Sequence, residues 1–361
     1  MRGKLFFERN KTDSVQTDIL AKILFSAMLI PLKHGKISGE RTSMTYLVTG
    51  GTGLIGSRIV RDLVQEGEQV VVYDWHPARN YLERLMSEEA IESTVKIVQG
   101  DVTDLPCLFR TIKENNVDKI IHTAALLTLE ANANPLLAVK INCEGTINVF
   151  EAARILGLKK VVWASSNACF GPPEKYAEEY IPNDAPHYPQ YIYGATKSFD
   201  EALAAHYFDQ YGMDITGIRY MHVYGVGQHR GIFATIVQEL LLNPALGKPG
   251  RVPYGDAIIG WSYVDDPARA TVMASKVPGT KTKSFSIMGD VRPLKEAAEY
   301  IRQLLPGADI TLLPGAFTSD PIKFDTRLIE EEVGYRPRWS MEQGIKETIN
   351  MIRREHGLPL I

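Results

Sequence analysis

The sequence of 361 residues predicts an α/β protein, with a doubly wound parallel sheet followed by a smaller irregular C-terminal domain. From Met44 onward, short runs rich in β-branched residues alternate with amphipathic segments, as strands and covering helices do in such a sheet. A glycine-rich turn, 49–56, separates the first run from the first helix, which makes the fold Rossmann-like. After Tyr220 the alternation loosens and Gly and Pro cluster in 243–255, so we expect 221–361 to form mainly a substrate-binding domain, with some segments returning to the core.

Each predicted strand has a β-branched bias, and each predicted helix has apolar residues three or four positions apart. The predicted strands are 46–49, 69–74, 95–98, 119–122, 160–164 and 215–219. The predicted helices are 54–66, 105–115, 135–156 and 191–211. Residues 44–220 therefore form the predicted sheet domain.

The first 43 residues differ from the rest, because they carry more Lys and Arg than Asp and Glu and contain one apolar stretch, 23–32. This stretch is too short to span a bilayer and lacks a clear cleavage site. We expect 1–43 to be an extension that is poorly ordered or that precedes the true start at Met44; a targeting segment is the alternative.

Composition excludes several classes of function. The net charge is -3 and no Lys/Arg stripe follows the chain, so we expect no nucleic-acid partner. The three cysteines are far apart and form no CxxC pair, which predicts neither a disulfide framework nor a metal site. We expect a protein of the reducing cytoplasm without a membrane span.

The glycine-rich turn predicts a binding site for a dinucleotide. Gly50, Gly53 and Gly56 lack Cβ atoms, so the backbone can turn tightly and bring its amides close to a pyrophosphate. Leu54 and Ile55 open the following helix, where unpaired N–H groups attract an anion. Taken alone, the glycines could also serve only the turn from strand to helix.

An acid at the end of the second strand favours NAD as the dinucleotide. From this position the Asp74 carboxylate can accept hydrogen bonds from the adenosine ribose and would repel a 2′-phosphate. Arg79 follows closely and leaves NADP open, since an arginine there could reach a phosphate.

The ends of the third and fourth strands supply further candidates for cofactor contacts. Asp101 and Val102 follow the third strand, and Thr123, Ala124 and Ala125 follow the fourth. Small residues there let the backbone pass close to a flat cofactor. An aspartate after a strand also caps helices, so Asp101 is either an adenine contact or a cap.

Tyr193 and Lys197 predict redox chemistry. Side chains four positions apart share one face of a helix, so the Lys197 ammonium can lie beside the Tyr193 hydroxyl. A neighbouring cation lowers a tyrosine pKa from about 10 toward the range useful for proton transfer. Such a pair also occurs by chance on solvated helices, and the dinucleotide turn upstream decides between the two interpretations.

These features occur together in an order that resembles the extended short-chain dehydrogenase/reductases, specifically the NAD-dependent epimerase/dehydratase family. The motifs that carry the resemblance are TGGTGLIG at 49–56, GDVTD at 100–104, HTAA at 122–125, SSNACFG at 165–171, YGATK at 193–197, IRYMHVYG at 218–225 and WSYVDD at 261–266. Together they cover nearly everything after Met44.

The resemblance implies a Rossmann-like domain and the catalytic residues Ser166, Tyr193 and Lys197, with Ser165 as the rival of Ser166. Tyr193 would remove the proton of a secondary alcohol while the nicotinamide takes the hydride. Lys197 would hold the nicotinamide ribose. The resemblance also implies that Asn142 stabilises the active-site end of the cofactor. It further implies that Tyr220 lies near the nicotinamide.

Two departures from the family pattern bear on the reaction. Dehydratases of the family carry an Asp–Glu pair where this chain has Asn167 and Ala168, which argues against a 4,6-dehydratase. Nucleotide-sugar members carry an arginine before WIYVDD, and this chain has none there. A diphosphate would then need one of three other arginines. They are Arg230, Arg251 and Arg292.

The substrate residues are expected to include Ser166, Asn167, His222 and Trp261. His222 replaces the asparagine of the family's LRYxN, where it could bond a substrate hydroxyl, act as a second acid or base, or be structural. Trp261 is expected to shape the pocket.

We therefore predict an NAD-dependent oxidoreductase or epimerase that transfers a hydride at a secondary alcohol or ketone of a sugar-like small molecule. The alternative enzyme is a dehydrogenase or reductase of a non-nucleotide hydroxyl compound, which would release NADH. A non-catalytic dinucleotide sensor is the third hypothesis. The family resemblance implies a homodimer formed through the helices 135–156 and 191–211.

Overall fold

The computed structural model describes residues 43–316 and 323–361. The predicted extension therefore lies outside the described residues, except for Ser43.

Strands and helices alternate along most of the described chain. The strands are β1 Thr45–Thr49, β2 Gln69–Asp74, β3 Val95–Gln99, β4 Lys119–His122, β5 Lys160–Ser166, β6 Tyr180–Ile181, β7 Ile215–Tyr220, β8 Val223–Tyr224, β9 Gly250–Val252, β10 Ile258–Tyr263, β11 Ser284–Ser286, β12 Asp290–Pro293, β13 Ile310–Leu312 and β14 Lys323–Phe324. The α-helices are α1 Leu54–Gln65, α2 Asn80–Glu83, α3 Glu88–Thr94, α4 Leu105–Glu114, α5 Thr128–Ala133, α6 Pro135–Ala138, α7 Gly145–Leu156, α8 Ile192–Tyr211, α9 Ile232–Ile236, α10 Asn243–Ala245, α11 Asp265–Lys276, α12 Leu294–Leu304, α13 Arg327–Val333 and α14 Met341–Glu355.

The central sheet has seven parallel strands in the order β3-β2-β1-β4-β5-β7-β11, which confirms the doubly wound fold. The chain adds β2 and β3 on one side of β1 and then crosses back to add β4 on the other side, where Thr49 of β1 pairs with His122 of β4. In a sheet of this kind, ligands bind in the crevice at the carboxyl ends of the strands beside this reversal. The glycine turn after β1 and the Thr123–Ala125 segment after β4 both lie there.

The six predicted strands of the central sheet agree with the structure to within two residues at each end. The seventh strand, β11, was missed because three residues are too few to show a period. It comes from the region assigned mainly to substrate binding and pairs with β7. The division into domains at Tyr220 itself stays a prediction.

Segments after Tyr220 form a second layer of structure with its own apolar core. β10 pairs parallel with β8 and antiparallel with β12, and the helices α12 and α14 pack against each other beside them. The buried side chains of this core include Phe233, Leu240 and Trp261. Helix α11 returns to the central sheet and packs on α1.

The predicted helix 135–156 is interrupted in the structure. A π-helical segment, Val139–Glu144, lies between α6 and α7 and carries Asn142 inward. π-helical turns often occur at functional sites, because the extra residue in the turn changes the direction of one side chain. This segment packs against α8, the helix that carries Tyr193.

Candidate active site

The glycine turn after β1 has the geometry of a phosphate-binding loop. Gly50 has a φ of 67°, in the left-handed region that favours glycine. A Cβ on Gly56 would lie 2.1 Å from the Gly50 carbonyl oxygen, so the start of α1 can pass over the turn only without a side chain. A Cβ on Gly50 would lie 2.9 Å from the backbone nitrogen of Ala124, which shows how closely the turn approaches the end of β4.

The N-terminus of α1 has the properties of an anion site. Its N-cap residue, Gly53, offers no side-chain cap, and the first turn of the helix contains no acidic residue. The backbone N–H groups of Leu54, Ile55 and Gly56 therefore meet no capping side chain and can donate to phosphate oxygens. These residues fit the pyrophosphate of a dinucleotide.

Asp74 is tied to the glycine turn. Its Oδ2 accepts hydrogen bonds from the Thr52 backbone N–H at 3.2 Å and from the Thr52 hydroxyl at 2.7 Å, and its Oδ1 accepts from the His76 N–H at 3.3 Å. The carboxylate thus holds the turn in place and puts a negative charge beside it. Arg79, the candidate for a 2′-phosphate contact, lies 3.4 Å from the Glu83 carboxylate.

Asp101 fixes the turn after β3, because its Oδ1 accepts from the Thr103 N–H and from the Thr103 hydroxyl, both at 2.9 Å. The N-cap of α4 is Asp104 instead, so the helix-cap role expected as one alternative for Asp101 is wrong, and its adenine contact stays a prediction. Val102 beside it is buried. On the other side of the crevice, the Thr123 hydroxyl donates to the Thr49 carbonyl at 2.8 Å, so the segment that continues into Ala124 and Ala125 is fixed to β1.

Ser166, Tyr193 and Lys197 come together at the carboxyl end of β5. β5 ends at Ser166, and α8 begins at Ile192, so Tyr193 and Lys197 lie in its first two turns. The Lys197 Nζ lies 5.9 Å from the centre of the Tyr193 ring. A hydrogen bond with Ser166 acts on Tyr193 and lowers the pKa of its phenol.

Burial outweighs that hydrogen bond and raises the pKa of Tyr193 to about 12. We had expected the Lys197 ammonium to lower this pKa below its ordinary value, and for the protein alone that expectation is wrong. Burial also lowers the pKa of Lys197 itself, and the negative charge of Asp200 adds to the rise at Tyr193. The chain without a cofactor therefore keeps the phenol protonated near neutral pH.

Ser165, the rival of Ser166, has a structural position. It is 1% exposed, and its hydroxyl donates to the Glu201 carboxylate at 2.5 Å. Glu201 in turn accepts two hydrogen bonds from the Arg219 guanidinium, at 2.7 and 2.6 Å. Ser165 thus belongs to a buried ion-pair network, whereas Ser166 is the hydroxyl that contacts Tyr193.

Asn142 uses its amide to join three segments. Its Oδ1 accepts from the Leu126 N–H at 2.8 Å, and its Nδ2 donates to the Leu126 carbonyl at 3.1 Å and to the Thr196 hydroxyl at 3.0 Å. The side chain is fully buried. It therefore fixes the loop after β4 to α8, and it affects the cofactor end of the site through that loop.

His222 is held as a neutral ring. The Gly260 N–H lies 3.2 Å from its Nδ1, the ring stacks on Phe233 with centroids 5.0 Å apart, and burial lowers its pKa to about 4. The role of a protonated second acid, one of the three that the sequence left open, has no support near neutral pH. Its φ of 33° lies on the left-handed side, where asparagine and histidine occur more often than most other residues.

The remaining predicted substrate residues differ in position. Trp261 is 1% exposed, packs edge-on against Tyr224 and donates its indole N–H to the Arg292 carbonyl at 3.3 Å. This core position does not support the expected role of Trp261 in shaping the pocket. The Asn167 Nδ2 donates to the Ile287 carbonyl at 3.3 Å, and its Oδ1 has no hydrogen-bond partner among the described residues.

Tyr220 lies at the end of β7, close enough to Tyr193 for a charge on Tyr193 to raise the pKa of Tyr220. Its hydroxyl is bonded to the Thr271 hydroxyl at 2.6 Å, and burial raises the pKa of its phenol well above the ordinary value. Tyr220 therefore stays neutral beside the catalytic candidates.

The three arginines that could replace the missing family arginine are all in ion pairs. The pairs are Arg230 with Glu130 at 3.0 Å, Arg251 with Asp309 at 3.0 Å, and Arg292 with Glu296 at 2.6 Å and Glu342 at 2.7 Å. Each guanidinium therefore already has a carboxylate partner, at a partly exposed position.

Sequence reasoning missed the carboxylates that follow Lys197. Asp200 and Glu201 are consecutive acids on a helix that must bury one face, and both are buried in the structure. That pattern could have been noticed, because buried acids need partners. Cys169, His187 and Glu201 also lie within 4.8 Å of one another, but the Arg219 guanidinium occupies the carboxylate, so the cluster does not fit a metal ion.

Comparison with known proteins identifies the family. Residues 46–287 match the NAD dependent epimerase/dehydratase family. The chain belongs to this family. It is an NAD-dependent enzyme of the extended short-chain dehydrogenase/reductase type, and its described residues contain no helix of the length and apolarity needed to cross a bilayer.

Similar proteins perform different reactions. The chain is 28% identical over 323 residues to UDP-N-acetyl-alpha-D-glucosaminuronate decarboxylase from Bacillus cytotoxicus, covering 85% of this chain and 97% of that protein. Its structure resembles Thermus thermophilus UDP-glucose 4-epimerase in complex with NAD, with a TM-score of 0.72, 24% identity and coverage of 86% and 99%. It also resembles Clostridium difficile L-threonine dehydrogenase, with a TM-score of 0.73, 24% identity and coverage of 87% and 99%. At 24% identity, the similarity to these two structures supports the fold alone.

The turn geometry leads to a prediction for Gly56→Ala. We expect at least about tenfold weaker NAD binding, because the new Cβ would overlap the Gly50 carbonyl and displace the start of α1. Thermal unfolding of the variant controls for a general loss of stability. Calorimetric titration with NAD measures the affinity; equal affinities for Gly56→Ala and the wild type would contradict the role of the turn.

Proposed function

We propose that this protein transfers a hydride between NAD and a secondary alcohol or ketone of a sugar-like small molecule, with Ser166, Tyr193 and Lys197 as its catalytic residues. The observation that carries the proposal is the meeting of a serine hydroxyl, a phenol and an ammonium at the end of β5, beside the glycine turn. Family membership supports the dinucleotide chemistry.

Each residue has a part in the reaction. In alcohol oxidation, the Tyr193 phenolate takes the hydroxyl proton as the carbon loses its hydride, and in ketone reduction the phenol returns that proton. Ser166 donates a hydrogen bond that orients the substrate oxygen. NAD, when bound, accepts the hydride as NADH forms and gives it back in the reverse direction.

Tyr193 must ionise for this role, although burial raises its pKa to about 12. The phenol therefore needs more positive charge than Lys197 supplies in the chain alone. The oxidised nicotinamide ring carries such a charge, and Lys197 would hold the ribose next to it. Proton transfer at Tyr193 is thereby coupled to cofactor binding.

NAD is favoured over NADP by the charges beside the glycine turn. The Asp74 carboxylate, held by Thr52, would repel a 2′-phosphate. Arg79 lies 3.4 Å from the Glu83 carboxylate, although its Nε and Nη2 have no hydrogen-bond partner among the described residues.

A second candidate substrate class, a hydroxyl compound without a nucleotide, is favoured by the paired arginines. The similar decarboxylase and epimerase are named for UDP-sugars, whose diphosphate needs cationic partners. In this chain Arg230, Arg251 and Arg292 each face a carboxylate. A dehydrogenase that acts on an uncharged or singly charged substrate avoids the cost of breaking those pairs.

Apolar surface on two helices supports a homodimer. Leu136 is 82% exposed and Phe199 is 47% exposed, and they lie on the segments 135–156 and 192–211. Leu137, Val139 and Ile192 extend the exposed apolar surface on the same helices. A second copy of the chain that presents the same two helices would cover this surface in a four-helix interface.

Tyr193→Phe tests the catalytic assignment. We expect NAD affinity close to that of the wild type and a turnover lower by about two to four orders of magnitude, because the general base is gone while the ring and its packing remain. Calorimetry gives the affinity, and NADH absorbance gives the rate. Full turnover in this variant would refute the role of Tyr193.

Supplying NAD with a panel of free sugars, sugar acids, other hydroxyl compounds and nucleotide sugars distinguishes the candidate reactions. A dehydrogenase accumulates NADH steadily, whereas an epimerase returns the hydride and leaves only a stoichiometric trace. From the paired arginines we expect the larger signal with substrates that lack a diphosphate. Activity restricted to nucleotide sugars would reject the second candidate.

Leu136→Asp combined with Phe199→Asp tests the dimer. We expect a monomer that keeps its fold, since both side chains are exposed in the single chain. Leu360→Asp, a change at another exposed leucine, should leave the dimer intact. Sedimentation velocity measures all three; a wild-type monomer, or a double variant that still dimerises, would overturn the proposed interface.

A further inference from the structure

A buried carboxylate lies behind the catalytic lysine and has no role in the chemistry described above. Asp200 follows Lys197 by one turn of α8 and is 0% exposed. Its Oδ2 lies 3.8 Å from the Lys197 Nζ and 3.4 Å from the Thr146 hydroxyl. Its Oδ1 has no hydrogen-bond partner within the described parts of the chain.

The surroundings of Asp200 leave Lys197 as its cationic partner. The next residue, Glu201, is already neutralised by the Arg219 guanidinium, with two hydrogen bonds of 2.7 and 2.6 Å. The Arg219 guanidinium is thus held by Glu201, and it also donates to the Asn183 carbonyl at 2.7 Å. The energetic cost of burying the Asp200 charge is therefore offset mainly by Lys197.

The other titratable groups that face this pair are neutral near pH 7. Burial lowers the pKa of His122 to about 3, raises that of the Cys143 thiol to about 12, and raises that of Tyr193 to about 12. His122 is held between the Thr49 hydroxyl at 2.7 Å and the Thr146 hydroxyl at 3.1 Å. These neutral groups form buried, polar surroundings in which Asp200 and Lys197 carry the charges.

We propose that Asp200 is a positioning residue that holds Lys197 as an ammonium on the buried side of α8, from where it binds the nicotinamide ribose. The inference rests on the proposed function, because it assigns Lys197 to the cofactor. A lysine buried without a counter-ion tends to lose its proton, and a neutral amine binds ribose hydroxyls less strongly. Asp200 prevents that loss whenever it is ionised.

The pKa of the Asp200 carboxyl is raised above its ordinary value. Burial raises its pKa to about 7, while the Lys197 ammonium and the Thr146 hydroxyl lower it in part. A raised carboxyl pKa means that the proton stays on Asp200 up to about neutral pH. The anchoring charge is therefore absent below that range and present above it, so its effect on NAD affinity grows as the pH rises through about 7.

A double-mutant cycle on NAD affinity tests this proposal. Wild type, Asp200→Asn, Lys197→Met and the double variant are titrated with NAD by calorimetry at pH about 6 and about 8.5, on either side of the Asp200 titration. We expect Asp200→Asn to weaken NAD binding about tenfold at the higher pH and hardly at all at the lower. In the Lys197→Met background it should add no further loss.

Two other variants separate charge from packing. Asp200→Glu keeps the charge and should recover part of the affinity lost in Asp200→Asn. Thr146→Val removes the hydroxyl that lowers the Asp200 pKa, so the contribution of Asp200 to NAD affinity should set in at higher pH. Asp266→Asn removes another buried carboxylate, one bonded to the backbone N–H groups of Arg338 and Trp339, and controls for a general loss of stability in thermal unfolding.

Equal losses at both pH values, or additive losses in the double variant, would overturn the proposal and reduce Asp200 to a packing residue. If Asp200→Asn does not fold, the pH shift in Thr146→Val decides, and an unshifted profile there is equally negative. Failure of the proposed function would look different, since the wild type itself would then not bind NAD at either pH.

Discussion

Helix α8 must bury a polar face against the end of the sheet, and the candidate active site depends on how that face is satisfied. Thr196 bonds to Asn142, Glu201 bonds to Arg219 and Ser165, and Lys197 faces Asp200. Charges inside a protein lose their hydration, so each of them requires a partner in a defined place. The resulting network fixes the rotation of α8, and with it the position of Tyr193.

The same burial sets the chemistry of the phenol. A tyrosine with its pKa raised to about 12 holds its proton in the chain alone, and it becomes a base only when more positive charge arrives. Cofactor binding would supply that charge and complete the site. The proposed coupling would keep the phenol protonated until NAD binds, with its pyrophosphate at the N-terminus of α1.

The substrate side of the crevice departs from the nucleotide-sugar pattern. A diphosphate is usually bound by an arginine that has no carboxylate partner. In this chain Arg230, Arg251 and Arg292 are paired with carboxylates. His222 is neutral and stacked on Phe233, which suits a hydrogen bond better than the attraction of an anion. These contacts are consistent with the proposed second substrate class, a hydroxyl compound without a nucleotide.

The local sequence by itself determined the central fold and the spacing of Tyr193 and Lys197, whereas Ser166 was implied only by the resemblance to the family. Six strands, the helices beside them, the turn at Gly50 to Gly56 and the spacing of Tyr193 and Lys197 all depend on periods and steric rules that act over a few residues. Only the tertiary structure decided the rest. β11 becomes a strand because β7 offers it an edge, Trp261 becomes core because β10 turns it inward, and the π-helical segment brings Asn142 to Leu126. The pKa of Tyr193 and the pairing of the arginines depend on burial and on charges distant in the chain, and these long-range contacts leave no local pattern in the sequence.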